Sequence, residues 1–146
     1  MSVTAPLGFR AAGVAAGLKS SGERDVAVVL NDGPSQAAAA VFTRNRVKAA
    51  PVLWTQQVLR GGRVRAVALN SGGANACTGP LGFTDTHATA ERLAQALGEQ
   101  PGGEPGSAGE IAVCSTGLIG ERLPLDFLLG GLDAALAEAS RSGGTP

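Results

Sequence analysis

Short apolar runs ending in glycine-rich turns alternate along this chain with stretches of helical periodicity, and that alternation is the strongest constraint on its fold. "DVAVVLN" (Asp25–Asn31) reads as a strand, bounded by "SSGER" before it and the turn signal "NDGP" after it. "RVRAVALN" (Arg63–Asn70) and "EIAVCS" (Glu110–Ser115) read the same way, and Gly8–Leu18 reads as a first, glycine-rich strand. "AAAAVFT" (Ala37–Thr43) is ambiguous by composition; its close flanking turns favour a strand paired with the preceding one. Helical spacing appears in "PVLWTQQVL", with Pro51 at the first turn, and from about Phe83 to Leu97, with Thr84 or Asp85 as N-cap. A last helix, "LPLDFLLGGLDAALAEA", carries a weak point at Gly130-Gly131. The order is two or three strands, helix, strand, helix, strand, helix, which predicts a mixed, layered α/β fold.

The 146 residues fit one domain, 1–146, with a surface loop at about 98–109 and an irregular tail at about 140–146. A chain of this length buries roughly 68–70% of its extended surface, enough for a conventional core. With 44% hydrophobic residues, 3% aromatic and no Tyr, that core is built from Ala, Val and Leu. Twelve Lys and Arg balance twelve Asp and Glu, which argues against nucleic acid or an anionic membrane as the main partner. The opening "MSVTAPLGFR" has no export signature, and no run approaches a membrane span. A cytoplasmic protein is expected, with Cys77 and Cys114 as reduced, buried thiols.

Four places invite a chemical reading. "NSGGANACTGP" (Asn70–Pro80) is a glycine-rich segment between a strand and a helix, where backbone N–H groups can converge on an anion. It contains neither a phosphate-loop nor a dinucleotide fingerprint, and the plain alternative is a tight turn needing positive φ at Gly72 or Gly73. His87, the one histidine, lies near Cys77 and Ser71, but Asp85 two residues away does not face it on a helix. A Cys or Ser hydrolase built on His87 therefore has little support, and one His with two separated Cys offers no metal spacing. Arg44, Arg46 and Lys48 alternate and would share one face of a strand, either as an anion-attracting wall or as an ordinary solvated edge. "CSTGLIG" ends a strand in Thr116-Gly117, a hydroxyl and an unshielded amide able to stabilise a developing oxyanion. No nucleophile with an evident base accompanies it: G-x-S-x-G and S-x-x-K are both absent.

Together, "GFRAAGVAAGLK", "AVFTRNRVKAAPV", "ALNSGGANACTGPLGF", "DTHATAE" and "VCSTGLIGERLP" resemble the α-chain region of the bifunctional ornithine acetyltransferase (glutamate N-acetyltransferase) family of arginine biosynthesis. The resemblance implies the N-terminal part of a layered α/β sandwich, shared with the self-cleaving aminopeptidases similar to DmpA. It implies a precursor that cuts itself into α and β chains, the new N-terminal Thr of the β chain being the nucleophile and its amine the base. The acetyl group then passes from N-acetylornithine to Thr and on to glutamate, releasing ornithine. Acetyl-CoA is a possible alternative donor, no cofactor is required, and the implied assembly is α2β2. By the same resemblance Thr116 and Gly117 are the oxyanion hole. The family's Thr-Thr-Asp segment, its Lys-Gly-x-Gly-Met block and its Ala-Thr cleavage junction, which in the family lie further on, are not found in these 146 residues. The chain alone is accordingly expected to be inactive and to self-associate through an uncovered sheet face. The alternative is a catalytically silent fragment, or a module that binds small carboxylates or mediates assembly.

Overall fold

The computed structural model describes residues 2–144. In chain order the elements are β1 (Phe9–Val14), β2 (Val26–Asn31), α1 (Ala50–Val58), β3 (Ala66–Gly73), α2 (Gly79–Glu99), β4 (Ile111–Leu118) and α3 (Leu125–Glu138). They form one four-stranded sheet in the order β1-β2-β3-β4. The first two pairings are antiparallel; β3 and β4 run parallel, joined by the α2 crossover. This is an α/β fold, as the alternation predicts.

The helices cover one face of the sheet. Val26, Val28 and Leu30 of β2 alternate inward and join Ala66, Ala68, Ile111 and Val113. Against them pack Trp54 and Val58 of α1, Leu93 and Leu97 of α2, and Leu128, Leu132 and Leu136 of α3. The opposite alternation, Ala27, Val29, Val67 and Leu69, is only half-buried, so an apolar face is left partly open. Among the described residues no helix is long and apolar enough to cross a membrane.

Several expectations are corrected. Ala37–Thr43 forms no strand, because β2 already has β1 on one edge and β3 on the other. The segment touches Arg63 through one bridge at Ala37 and then leaves the sheet. Arg44, Arg46 and Lys48 therefore share no strand face. Helix α2 begins at Gly79, ahead of the expected N-cap residues; Pro80 pre-sets its first turn, and the Thr84 hydroxyl donates back to the Pro80 carbonyl (3.2 Å). Cys77 and Cys114 are free but exposed rather than buried. Cys114 has the outward alternation on β4, where no helix covers it.

The loop after α2 is tied down by a capping box between Ser107 and Glu110, and by Arg65, which donates to the Glu104 carbonyl (2.7 Å). Ser140, where the irregular tail was expected to start, makes an antiparallel bridge with Ala11; residues 145 and 146 of that tail lie outside the described residues. The Gly130-Gly131 pair divides in role. A Cβ on Gly131 would lie 2.6 Å from the Ala16 Cβ, so α3 needs that glycine to approach the β1–β2 hairpin, whereas Gly130 faces open space.

Candidate functional site

The two glycine-bearing motifs, far apart in sequence, are neighbours in the sheet. The parallel register pairs Asn70 with Ser115, Ser71 with Thr116, Gly72 with Gly117 and Gly73 with Leu118. Both strands run further than expected: β3 does not end at Asn70, and β4 does not break at Ser115. Within the ladder Gly72 takes φ +115° and Gly117 φ +128°. A Cβ on Gly117 would sit 2.5 Å from the Gly72 carbonyl carbon, and one on Gly72 would sit 3.0 Å from the Leu18 carbonyl oxygen. Each glycine is thus required by the close approach of the other strand or of the β1–β2 loop.

β4 is an edge strand, and helix α1 covers its lower part with side chains. The Trp54 Nε1–H donates to the Ile111 carbonyl (2.9 Å). The Thr55 hydroxyl donates to the Val113 carbonyl (2.9 Å) and accepts from the Val113 N–H (3.0 Å). Along a strand, alternate residues turn their main-chain groups to the same side. Ser115 and Gly117 therefore turn their N–H groups the same way as Val113, away from β3, beyond the reach of α1's cover.

Thr116 is exposed and lines a cleft of about 360 Å³ with Arg24, Asp25, Asn70 and Ser71. Among the described residues its hydroxyl makes no hydrogen bond, and Gly117 beside it is also exposed. Ser115 points the other way, and its hydroxyl is buried without a partner among the described residues. The cleft thus brings together an open hydroxyl and a cation, Arg24, that forms no ion pair among the described residues.

Asp25 is buried beneath this cleft and organises it. Its carboxylate accepts main-chain N–H groups from Ala16 (2.6 Å) and Lys19 (2.9 Å). Burial alone would push this carboxyl up, but the N–H donors of Ala16, Lys19, Leu18 and Gly17 outweigh it and hold the pKa below its ordinary value. The loop so gathered is the one whose Leu18 carbonyl lies against Gly72.

The asparagines of the glycine-rich segment do structural work. Asn70 donates to the Gly73 carbonyl (3.0 Å). Buried Asn75, at φ +48°, donates to the Gly82 carbonyl (2.8 Å) and the Thr86 hydroxyl (2.9 Å), and its own carbonyl accepts the Ala50 N–H (3.0 Å). One side chain and its backbone thereby join the loop to both α1 and α2. Asp85, almost fully buried, is held by Arg122 through two bonds of 2.9 and 2.6 Å.

His87 assembles no nucleophile. It is half-exposed, its ring lies 5.0 Å from that of Trp54, and it faces Glu91 at 3.8 Å. No hydrogen bond joins it to Cys77 or Ser71. Desolvation pushes the Cys114 thiol up, away from the reactive thiolate. Among the described residues no group of three or more His, Cys, Asp or Glu could hold a metal. Sequence reasoning missed Asp25, Thr55, Ser115 and the Asp85–Arg122 pair, because only tertiary packing gives each its surroundings.

The sequence matches the ArgJ family over residues 10–144. It is 69% identical over 144 residues to the arginine biosynthesis bifunctional protein ArgJ of Thermobifida fusca, covering 99% of this chain and 36% of that protein. It is 72% identical over 130 residues to the protein of that name from Mycobacterium tuberculosis, covering 89% of this chain and 32% of the relative. The chain therefore spans about a third of the length of these curated relatives. The fold is similar to the crystal structure of Mycobacterium tuberculosis ornithine acetyltransferase complexed with ornithine, with a TM-score of 0.95 and 66% identity, covering 98% of this chain and 74% of that one. It is also similar to the arginine biosynthesis bifunctional protein of Bacillus halodurans, with a TM-score of 0.80 and 36% identity, covering 91% of this chain and 65% of the other.

Proposed function

Because the chain belongs to the ArgJ family, we propose that it supplies the oxyanion-binding part of an acetyltransferase of arginine biosynthesis, which moves acetyl from N-acetylornithine to glutamate. In this reading the nucleophile is the N-terminal Thr of a β chain produced by self-cleavage, and its amine takes up the hydroxyl proton. The Thr oxygen adds to the acetyl carbonyl, whose electron pair moves onto oxygen. The Thr116 hydroxyl and the Gly117 N–H donate to that oxyanion. Collapse expels ornithine, which takes the proton from the ammonium, and leaves an acetyl-threonine ester. The amine of glutamate then repeats the addition and elimination, regenerating the free Thr. No metal or organic cofactor is needed, and acetyl-CoA can replace N-acetylornithine as donor through the same oxyanion.

The observation that carries this reading is the exposed Thr116–Gly117 pair at an unpaired strand edge, formed by two adjacent glycines at positive φ. Donors fixed before the reaction cost no reorganisation when charge develops, and losing one typically costs about 10²–10³ in rate. The half-open apolar face formed by Val29, Val67 and Leu69 suits a β-chain layer, and an α2β2 assembly in the cytoplasm follows from the same reading. A match over 98% of this chain fills 74% of the solved Mycobacterium tuberculosis chain, whereas a match over 89% of it fills only 32% of that organism's curated protein, which favours a precursor divided into separate chains.

The test supplies this chain with the remaining segment of the Thermobifida fusca relative. Acetyl transfer from N-acetylornithine to glutamate is expected from the mixture and not from the chain alone. Thr116→Ala is expected to lower kcat by roughly 10–10³-fold with an unchanged circular dichroism spectrum. A wild-type rate in that variant would remove the hydroxyl from the mechanism.

One observation favours a second reading, a small-carboxylate-binding or assembly module: Arg24 lines the Thr116 cleft without an ion-pair partner among the described residues. Calorimetry of the chain with glutamate, ornithine and N-acetylornithine separates the two. Binding that Arg24→Ala abolishes, with no acetyl transfer after complementation, selects the module.

A further inference from the structure

The segment 39–48 belongs to no strand or helix. It leaves the body after Ala38, whose N–H donates to the Gly62 carbonyl (2.9 Å), and returns at Ala50, held by Asn75. Between these anchors its one hydrogen bond among the described residues is internal, from the Asn45 N–H to the Thr43 hydroxyl (3.2 Å). Val41 is 98% exposed and Val47 68% exposed. Arg44 and Arg46 are exposed, and no ion pair reaches them or Lys48 among the described residues.

The charge pattern around the arm is one-sided. From Gly33 to Thr84 the chain contains Arg44, Arg46, Lys48, Arg60, Arg63 and Arg65 and not one Asp or Glu, although its net charge is zero. Phe42 alone among its large apolar side chains is half-buried, so a segment that displays two valines and several cations gains little from its own body to offset the entropy of being fixed. The arm is nevertheless part of what matches the solved Mycobacterium tuberculosis chain, since a match over 98% of this chain leaves fewer residues unmatched than the arm contains.

We propose that residues 39–48 are a docking arm that seats on the part of the protein carried by the longer relatives beyond the matched third. Its main chain pairs there with an extended segment, Val41 and Val47 enter apolar sockets, and Arg44 and Arg46 meet carboxylates. This contact is separate from the half-open sheet face, and it rests on the preceding reading only in requiring that the remaining part exists and associates.

The experiment co-expresses the tagged 146-residue chain with the remaining segment of the Thermobifida fusca relative and measures how much of that segment co-purifies. The double variant Val41→Asp with Val47→Asp is expected to retain at least tenfold less. Arg44→Glu with Arg46→Glu is expected to lose capture most strongly at low salt, where charge attraction is least screened. Leu7→Asp, at a 95% exposed apolar residue outside the arm, is expected to retain the wild-type amount. Circular dichroism of each free variant should match wild type, because Val41, Arg44, Arg46 and Val47 are all exposed. Wild-type capture by both arm variants overturns the proposal. So does a photo-cross-linker at position 41 that joins to a second copy of this chain instead of the supplied segment. Capture without acetyl transfer in the wild-type pair would leave the arm standing and remove the catalytic reading. Full acetyl transfer and full capture by the arm variants would do the reverse.

Discussion

The β3–β4 pair has two halves of different character. In the half nearest Ala66 and Ile111, inward side chains are fully buried, and Trp54 and Thr55 occupy the main-chain edge of β4. In the half nearest Gly73 and Leu118, Thr116 and Gly117 are exposed, two glycines adopt positive φ, and the Ser115 hydroxyl is buried without a partner among the described residues. The same ladder is closed where it supports the fold and open where a reacting group would need donors. Stability and the candidate chemistry are thus divided along two strands, and substitutions in each half should separate them.

The largest effect is expected from Gly117→Ala. The new Cβ would sit 2.5 Å from the Gly72 carbonyl carbon at a φ that L-residues avoid. It should lower unfolding free energy by about 3 kcal/mol in denaturant titration and abolish acetyl transfer in the complemented enzyme. A mild effect on both would show that the kink is not needed.

In the closed half, Thr55→Val removes the hydroxyl that serves both the N–H and the carbonyl of Val113. Leaving those groups unpaired should cost about 2 kcal/mol, with catalysis in the surviving folded fraction unchanged. Loss of kcat without loss of stability would erase the division between the halves.

Asp25 links the halves through the loop that lies on Gly72, and its test is pH. Its folded pKa is held below the unfolded value of about 3.9. Its stabilising contribution is therefore complete above that value and is lost as pH falls through the folded pKa. Acid unfolding followed by circular dichroism should be shallower across this window in Asp25→Asn. Equal acid profiles would show that the N–H groups of residues 16–19 do not depend on the charge.

The smallest effects come from α3. Gly130 faces open space, so Gly130→Ala should raise stability by about 0.5–1 kcal/mol. Gly131→Ala should lower it, because its Cβ would meet Ala16 and Val26. Equal responses in thermal melts would contradict the close approach of α3 to the hairpin.

Much of the fold was legible because its signals are local. The alternation in β2, Pro51 at the start of α1 and the apolar spacing of α2 act within a few residues. The errors came from competition between distant segments. The turns flanking Ala37–Thr43 favoured a strand, but both edges of β2 are taken. Cys114 follows an apolar run that predicts burial, but its alternation puts it on the sheet face without helices. Thr116 and Gly117 stood out as candidate donors through their motif. That they stand beside Ser71 and Gly72 was not legible, because nothing local encodes the register of parallel strands.

The sequence by itself determined the order of strands and helices, the small-residue core and the identity of the two glycine-bearing motifs. Periodicity and turn chemistry operate over one or two turns of chain, and those features need nothing longer. Only the tertiary structure decided which edge of β4 stays open, which glycines must touch, and which carboxylate, Asp25, gathers the loop over them. Those choices depend on which distant segments reach the same place first, and packing and hydrogen-bond satisfaction settle them across the whole sheet.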